Sequence, residues 1–133
     1  QNLDDLQVIV DDLLSTWPEK DVLSSRALFE LIGRHLVQTT PGRGILKSAV
    51  QRNVPVYVPA FTDSELGLDV ALHNRKRRKD GRTPISFDPF LDLEHYTRLL
   101  ESKKRIGIFT IGGGVPRNWA QQAAPVRRPV VLS

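Results

Sequence analysis

The chain has 133 residues, 40% of them hydrophobic and 26% charged, the balance of one ordinary globular domain or part of one. It contains no cysteine, which excludes disulfides, thiolate metal sites and a cysteine nucleophile, and its three scattered histidines (His35, His73, His95) form no metal-ligand motif. The formal charge is +4, but much of the excess sits in "HNRKRRKDGR" (residues 73–82) and at Arg127 and Arg128, so no general basic surface follows.

The first stretch, residues 3–17, sets Leu3, Leu6, Val10, Leu13, Leu14 and Trp17 at helical spacing, and Pro18 ends it. It is acidic and amphipathic and lacks the basic start and cleavage site of a signal peptide. No window approaches the roughly 18 apolar residues of a membrane span, and a cytoplasmic location is expected. A second helix starts at Ser24 or Ser25, either of which can cap it, with Leu28, Leu31, Ile32, His35 and Leu36 along one face. "TTPGRG" (39–44) is a loop and "ILKSAVQRN" a short helix.

"VPVYVPAF" (54–61) is β-branched, short and bounded by prolines, and reads as a buried strand. In "TDSELGLDVALHNRKRRK", Asp63 or Ser64 can cap a helix that carries Leu66, Val70 and Leu72 inward. Its basic tail sits where cations favour the helix dipole, and a solvated helix end is preferred to a nucleic-acid patch, since no aromatic platform accompanies it. Asp88 followed by Pro89 opens the next helix, whose apolar face is Phe90, Leu93, Tyr96, Leu99 and Leu100. "RIGIFTI" reads as a second buried strand, and "PRNWAQQ" opens a last helix. Trp17 is expected in the core, Trp119 either lines a pocket or packs its helix, His73 and His95 are surface or half-buried, and Asp11, Asp12 and Asp92 face solvent. The final "AAPVRRPVVLS" has no clear periodicity. Apolar strands alternating with helices predict an α/β fold with a mostly parallel sheet.

The stretch "FTIGGGVPRNW" (109–119) raises a specific question. Three consecutive glycines are entropically costly in any folded element. Between a strand end and a helix start they suit close backbone approach to an anionic ligand, although a plain tight turn uses the same residues. The dinucleotide spacing G-x-G-x-x-G is absent. In a parallel sheet "PAFTDSELG" and "GGGVPRNW" fall on the same edge, outside the carboxyl ends of the strands, where α/β sheets bind ligands.

"NVPVYVPAFTDSELGLDVALHN", "SFDPFLDLEHYTRLL" and "IGIFTIGGGVPRNWAQQ" resemble the deoxyhypusine synthase family, most closely its bacterial deoxyhypusine synthase-like branch. The resemblance runs from about residue 3 to residue 122. It implies that residues 1–122 are part of a Rossmann-like NAD-binding α/β domain, with flanking helices around the sheet, and that 123–133 is a tail unlike the family. It further implies a homotetramer, a dimer of dimers with active sites at dimer interfaces. The family oxidises spermidine next to its secondary amine, holds the aminobutyl group as an imine on an enzyme lysine, transfers it to an acceptor amine and reduces the product. The acceptor is a lysine of a translation initiation factor, or a diamine such as putrescine. No nucleic-acid or membrane partner is implied.

By the same resemblance, Asp63 and the triplet Gly112, Gly113 and Gly114 stand at NAD-contacting positions. The family's substrate aspartate directly follows the Leu-Gly of its motif; here Leu68 holds that place and Asp69 comes one later, a candidate substrate contact. Where eukaryotic members carry a substrate-contacting histidine, this chain has Asn118, which can hydrogen-bond a substrate but cannot act as a base near neutral pH. The family's catalytic lysine lies in a Trp-Gly-Lys motif downstream of the glycines, and the 133 residues contain no such motif. The chain also has no methionine, and is expected to be an interior piece of a longer enzyme, inactive by itself. The alternative expectation is a non-catalytic remnant that binds NAD or oligomerises.

Overall fold

The computed structural model describes residues 3–123 and 130–131. It contains six α-helices among those residues: α1 (Leu3–Ser15), α2 (Ser25–Thr39), α3 (Ile45–Gln51), α4 (Glu65–Lys79), α5 (Phe90–Glu101) and α6 (Val115–Gln122). Two short strands, β1 (Gly107–Ile108) and β2 (Val130–Val131), pair in parallel, Gly107 with Val130 and Ile108 with Val131. Leu23 and Phe87 form an isolated parallel bridge. Residues 124–129 and 132–133 of the 123–133 tail, including Arg127 and Arg128, lie outside the described residues.

The core is built where the helical spacings put it. Val10 and Leu14 of α1 meet Leu23, Leu28, Ile32, Phe61, Val70 and Ile85, with Trp17 packed partly against them. Ser24 caps α2, its Oγ accepting from the Ala27 amide at 3.2 Å. Gly33 is a packing requirement: a Cβ there would lie 2.4 Å from Val50 Cγ2 of α3. On α4 the inward face is Leu66, Val70, His73 and Arg77, at spacings of four, three and four. Leu72, expected inward, is 38% exposed, because the α1 side of α4 is taken by His73 instead.

The segment 54–61 departs from its expected strand. Among the described residues nothing pairs with it as a ladder, and it runs as half-buried chain into a 3-10 turn, Phe61–Asp63. Its hydrogen bonding goes elsewhere: the Val58 amide donates to Ser25 Oγ at 2.9 Å, and the Val54 amide to the Ala49 carbonyl at 2.8 Å. The second expected strand is confined to β1, since Phe109 and Ile111 beyond it are 83% and 89% exposed. Helix α5 begins one residue later than the Asp-Pro signal, with Asp88 Oδ1 accepting the Phe90 amide at 2.9 Å.

Two expectations about acidic residues are corrected. Asp92 is only 5% exposed, because its carboxylate sits at the N-terminus of α2. Oδ2 accepts from Ser25 N–H at 3.1 Å and Ser25 Oγ at 2.5 Å, and Oδ1 from Arg26 N–H at 3.1 Å. Asp11 is likewise engaged, receiving His73 Nδ1 at 2.6 Å and Lys76 Nζ at 3.1 Å. His73 is therefore buried, beyond the half-buried state expected of it. Arg77 is also buried within the basic run, donating to the Thr83 carbonyl and to Glu19. The neighbouring Arg75, Lys76, Arg78 and Lys79 are exposed, as a solvated helix end requires.

Candidate cofactor site

The glycine triplet lies between β1 and α6, directly before the helix, and is exposed. Gly112 and Gly114 have φ of +83° and +81°, the left-handed region that side chains disfavour. Gly113 is different. It lies outside that region, and among the described residues a Cβ there would meet only the Arg117 guanidinium, at an ordinary 3.7 Å. Two of the three glycines are explained by the turn, and the middle one is not.

Helix α6 follows directly, with Pro116 in its first turn, where no amide is needed. Asn118 lies on this turn with its side chain exposed and its amide bonded to the Gly114 carbonyl at 3.2 Å. Trp119 packs the helix down. Its ring stacks on Tyr96 at 4.8 Å between centroids and meets Tyr57 at 5.4 Å, while Tyr57 and Tyr96 meet edge-on at 5.5 Å. Tyr96 O–H donates to the Ala120 carbonyl at 3.2 Å. The three rings contact one another, so they form a packed post under the glycine turn rather than an open cage.

This post continues to His95, whose Nδ1 lies 2.5 Å from Tyr57 Oη. Burial pushes the Tyr57 hydroxyl up to about 12, so it keeps its proton and donates it to Nδ1. Burial, then the charge of Arg26, pushes His95 below its ordinary value, which leaves it neutral at pH 7.

The other candidates lie around the start of α4. Asp63 closes the 3-10 turn with its side chain exposed. Ser64 caps α4, accepting from the Gly67 amide at 3.1 Å and donating to the Phe61 carbonyl at 2.5 Å. Gly67 has a purely steric reason, since a Cβ would stand 2.5 Å from the Phe61 carbonyl oxygen. Leu68 is 59% exposed. Asp69 borders a cleft of about 250 Å³ together with Asp11, His73 and Lys76, between α1 and α4. Burial, then the charge of Glu65, raises the Asp69 carboxyl above its ordinary value. Neither Asn118 nor the glycines line that cleft.

The family model for deoxyhypusine synthase matches residues 1–131, and the chain belongs to the deoxyhypusine synthase family. It is 34% identical over 100 residues to "Probable deoxyhypusine synthase 2" of Methanosarcina acetivorans, covering 74% of this chain and 28% of that protein. It is 32% identical over 123 residues to "Probable deoxyhypusine synthase 1" of Methanosarcina mazei, covering 92% and 36%. A bacterial relative, the "Deoxyhypusine synthase-like protein" of Caulobacter vibrioides, is 28% identical over 100 residues, covering 74% and 27%. The chain thus spans between 27% and 36% of the length of these relatives.

Proposed function

We propose that this chain is part of an NAD-dependent aminobutyl transferase of polyamine metabolism, with spermidine as donor and a protein lysine or a diamine such as putrescine as acceptor. Its α/β elements belong to a Rossmann-like, mostly parallel sheet, and the whole enzyme is a soluble, cytoplasmic homo-oligomer. Family membership supports the transferase class. The observation that carries the cofactor reading is Gly113: its missing side chain is needed neither by backbone conformation nor by packing among the described residues. Close approach by a ligand accounts for it.

NAD, when bound, takes and returns the hydride of the aminobutyl transfer. Gly112, Gly113 and Gly114 would let a dinucleotide approach bare backbone at the start of α6, where N–H groups and the helix dipole would favour phosphate. Asp63 offers an exposed carboxylate to accept from hydroxyls of the cofactor. Asn118, one turn into α6, both donates and accepts toward a polyamine but moves no proton, which favours a diamine acceptor over a protein lysine. Asp69 is the second substrate candidate; an ammonium group beside it would favour the charge that burial now disfavours.

The decisive experiment is an NAD titration of this chain, followed by Trp fluorescence and calorimetry. Saturable binding is expected, and Gly113→Ala should weaken it roughly tenfold with the far-ultraviolet dichroism unchanged. Absence of binding to the parent chain overturns the cofactor reading. With labelled spermidine, NAD and borohydride, the chain should remain unlabelled, because it contains no Trp-Gly-Lys motif. A trapped label overturns that expectation. The second reading, a non-catalytic remnant that binds NAD or associates with copies of itself, is favoured by the exposed Phe109, Ile111 and Val115 flanking the glycines. Concentration-dependent sedimentation without NAD binding would select the associating form of it.

A further inference from the structure

Two exposed helix faces of this chain carry opposite charge, and each presents an apolar side chain to solvent. The first belongs to α3. On its outer side an open hollow of about 570 Å³ is lined by Arg43, Ile45, Ala49, Arg52 and Val54, among others. Ile45 is 87% exposed and Val54 54%, while the opposite side of the helix is packed, with Val50 against Gly33 and Leu46 against the core. Residues 43–52, "RGILKSAVQR", contain Arg43, Lys47 and Arg52 and no acid. Lys47 Nζ is taken by the carbonyls of Thr40 and Gly42. Arg43 and Arg52 are exposed, and among the described residues their guanidiniums have neither a hydrogen bond nor an ion pair.

The second face is the outer side of α1. Val10 and Leu14 turn inward and are fully buried, which leaves Val8 60% exposed and Asp12, one turn on, exposed beside it. The helix reads "LDDLQVIVDDLLS", with four aspartates and no base. Asp11 is engaged by His73 and Lys76, but the Asp12 carboxylate has no partner among the described residues. Val8 and Ile45 are both exposed, so the two faces do not cover each other within one chain. An apolar residue beside an unpaired acid on one face thus complements an apolar residue beside unpaired bases on the other. The spacing fits as well. With Val8 opposite Ile45 and the two helices running in the same direction, Asp12 falls opposite Ala49, about 4.5 Å short of Arg52 along the axis. An arginine side chain spans that distance, and side chains lean toward the N-terminus of their helix, which carries the guanidinium back to the acid.

We propose that α1 of one copy docks on α3 of a second copy, with Val8 against Ile45 and Asp12 paired with Arg52. The proposal rests on the homo-oligomer reading above and adds to it the two faces in contact. Two turns of helix on each side bury less than the roughly 1,200 Å² of a standard interface, so the dissociation constant of this contact is on the order of 100 μM. Its charges lie at an exposed rim, so salt weakens it.

The test is sedimentation of the whole chain and of two charge reversals, Arg52→Glu and Asp12→Lys, between about 10 μM and about 1 mM. The parent should associate with concentration, and less so in about 0.5 M salt. Each reversal alone should weaken association at least roughly tenfold, since like charges then meet. An equal mixture of the two should associate about as tightly as the parent, because the new acid of one meets the new base of the other. If either reversal alters the circular dichroism, Ile45→Ser takes its place and should weaken association by a similar factor. Association that survives these substitutions, or a mixture no tighter than its parts, overturns this contact and leaves the homo-oligomer reading standing. A parent chain that is monomeric at about 1 mM overturns the contact and removes the support of this chain from that reading as well.

Discussion

Asp92 and Ser25 stand 67 positions apart, and their side chains meet at 2.5 Å between Oδ2 and Oγ. The same carboxylate holds the first amides of α2, and the same hydroxyl receives the Val58 amide, so one buried acid joins α5, α2 and the segment leading to Asp63. A carboxylate is suited to this place because it accepts from several donors and opposes the positive end of the helix. Asp92→Ala should cost about 3 kcal/mol, because two buried donors and a half-buried one lose their acceptor together. Ser25→Ala should cost about 1–2 kcal/mol, since Asp92 keeps its backbone donors. Urea unfolding checks both, and near-equal small losses would show that the network contributes little.

The Asp11–His73 pair makes stability depend on acid. The hydrogen bond from His73 is the main cause that holds the Asp11 carboxyl below its ordinary 3.8, with burial opposing it and Lys76 assisting. A depressed carboxyl stabilises the fold above its unfolded value, and that contribution is lost as pH falls through the folded value. The urea midpoint should therefore drop from just under pH 4 downward. Asp11→Asn should remove about 1–2 kcal/mol at pH 6 and flatten that drop. A variant with an unchanged acid limb would show that other carboxylates govern it.

The helices were legible because spacing and capping are local. Ser24, Ser64 and Pro116 stand at or beside helix starts as their chemistry demands, and Val10, Leu14, Leu28 and Ile32 are buried as their spacing implies. What could not be read is long-range. Asp92 looks like any first-turn acid on α5, and only the fold brings the N-terminus of α2 to it. His73 and Arg77 are polar by composition, yet their positions continue the Leu66–Val70 stripe, a periodic signal that polarity alone hides. The segment 54–61 has the composition of a strand, but a strand needs a neighbour, and among the described residues it finds a serine hydroxyl instead. The glycine triplet was legible as a special turn, and the structure separates its members by cause: Gly112 and Gly114 by φ, Gly113 by neither φ nor contact.

That separation makes alanine substitution informative at Gly67 and Gly113. Gly67→Ala places a Cβ 2.5 Å from the Phe61 carbonyl, which is backbone and cannot swing away. The first turn of α4 must then shift, at about 1–3 kcal/mol. Gly113→Ala meets only the end of Arg117, so its stability should be unchanged or higher by about 0.5 kcal/mol through the unfolded chain. Thermal unfolding of the two variants side by side checks the contrast. A large loss for Gly113→Ala would give that glycine a structural cause and remove the main support for the cofactor reading.

Tyr96 is the hinge between the aromatic post and the glycine turn. Its ring stacks on Trp119 and its hydroxyl donates to the Ala120 carbonyl, both on α6. An eight-residue helix has little stability of its own and depends on such packing. Tyr96→Phe keeps the stack and removes one hydrogen bond worth about 1 kcal/mol. Tyr96→Ala removes the stack as well, and should cost a further 2 kcal/mol or about that. Because these contacts lie on α6, the loss should appear first as faster amide exchange over residues 115–122, while α2 exchanges as before. In Tyr96→Ala the Trp119 emission should also move to longer wavelength as the indole becomes solvated. If exchange instead rises uniformly along the chain, Tyr96 supports the fold as a whole and does not set the position of the glycine turn.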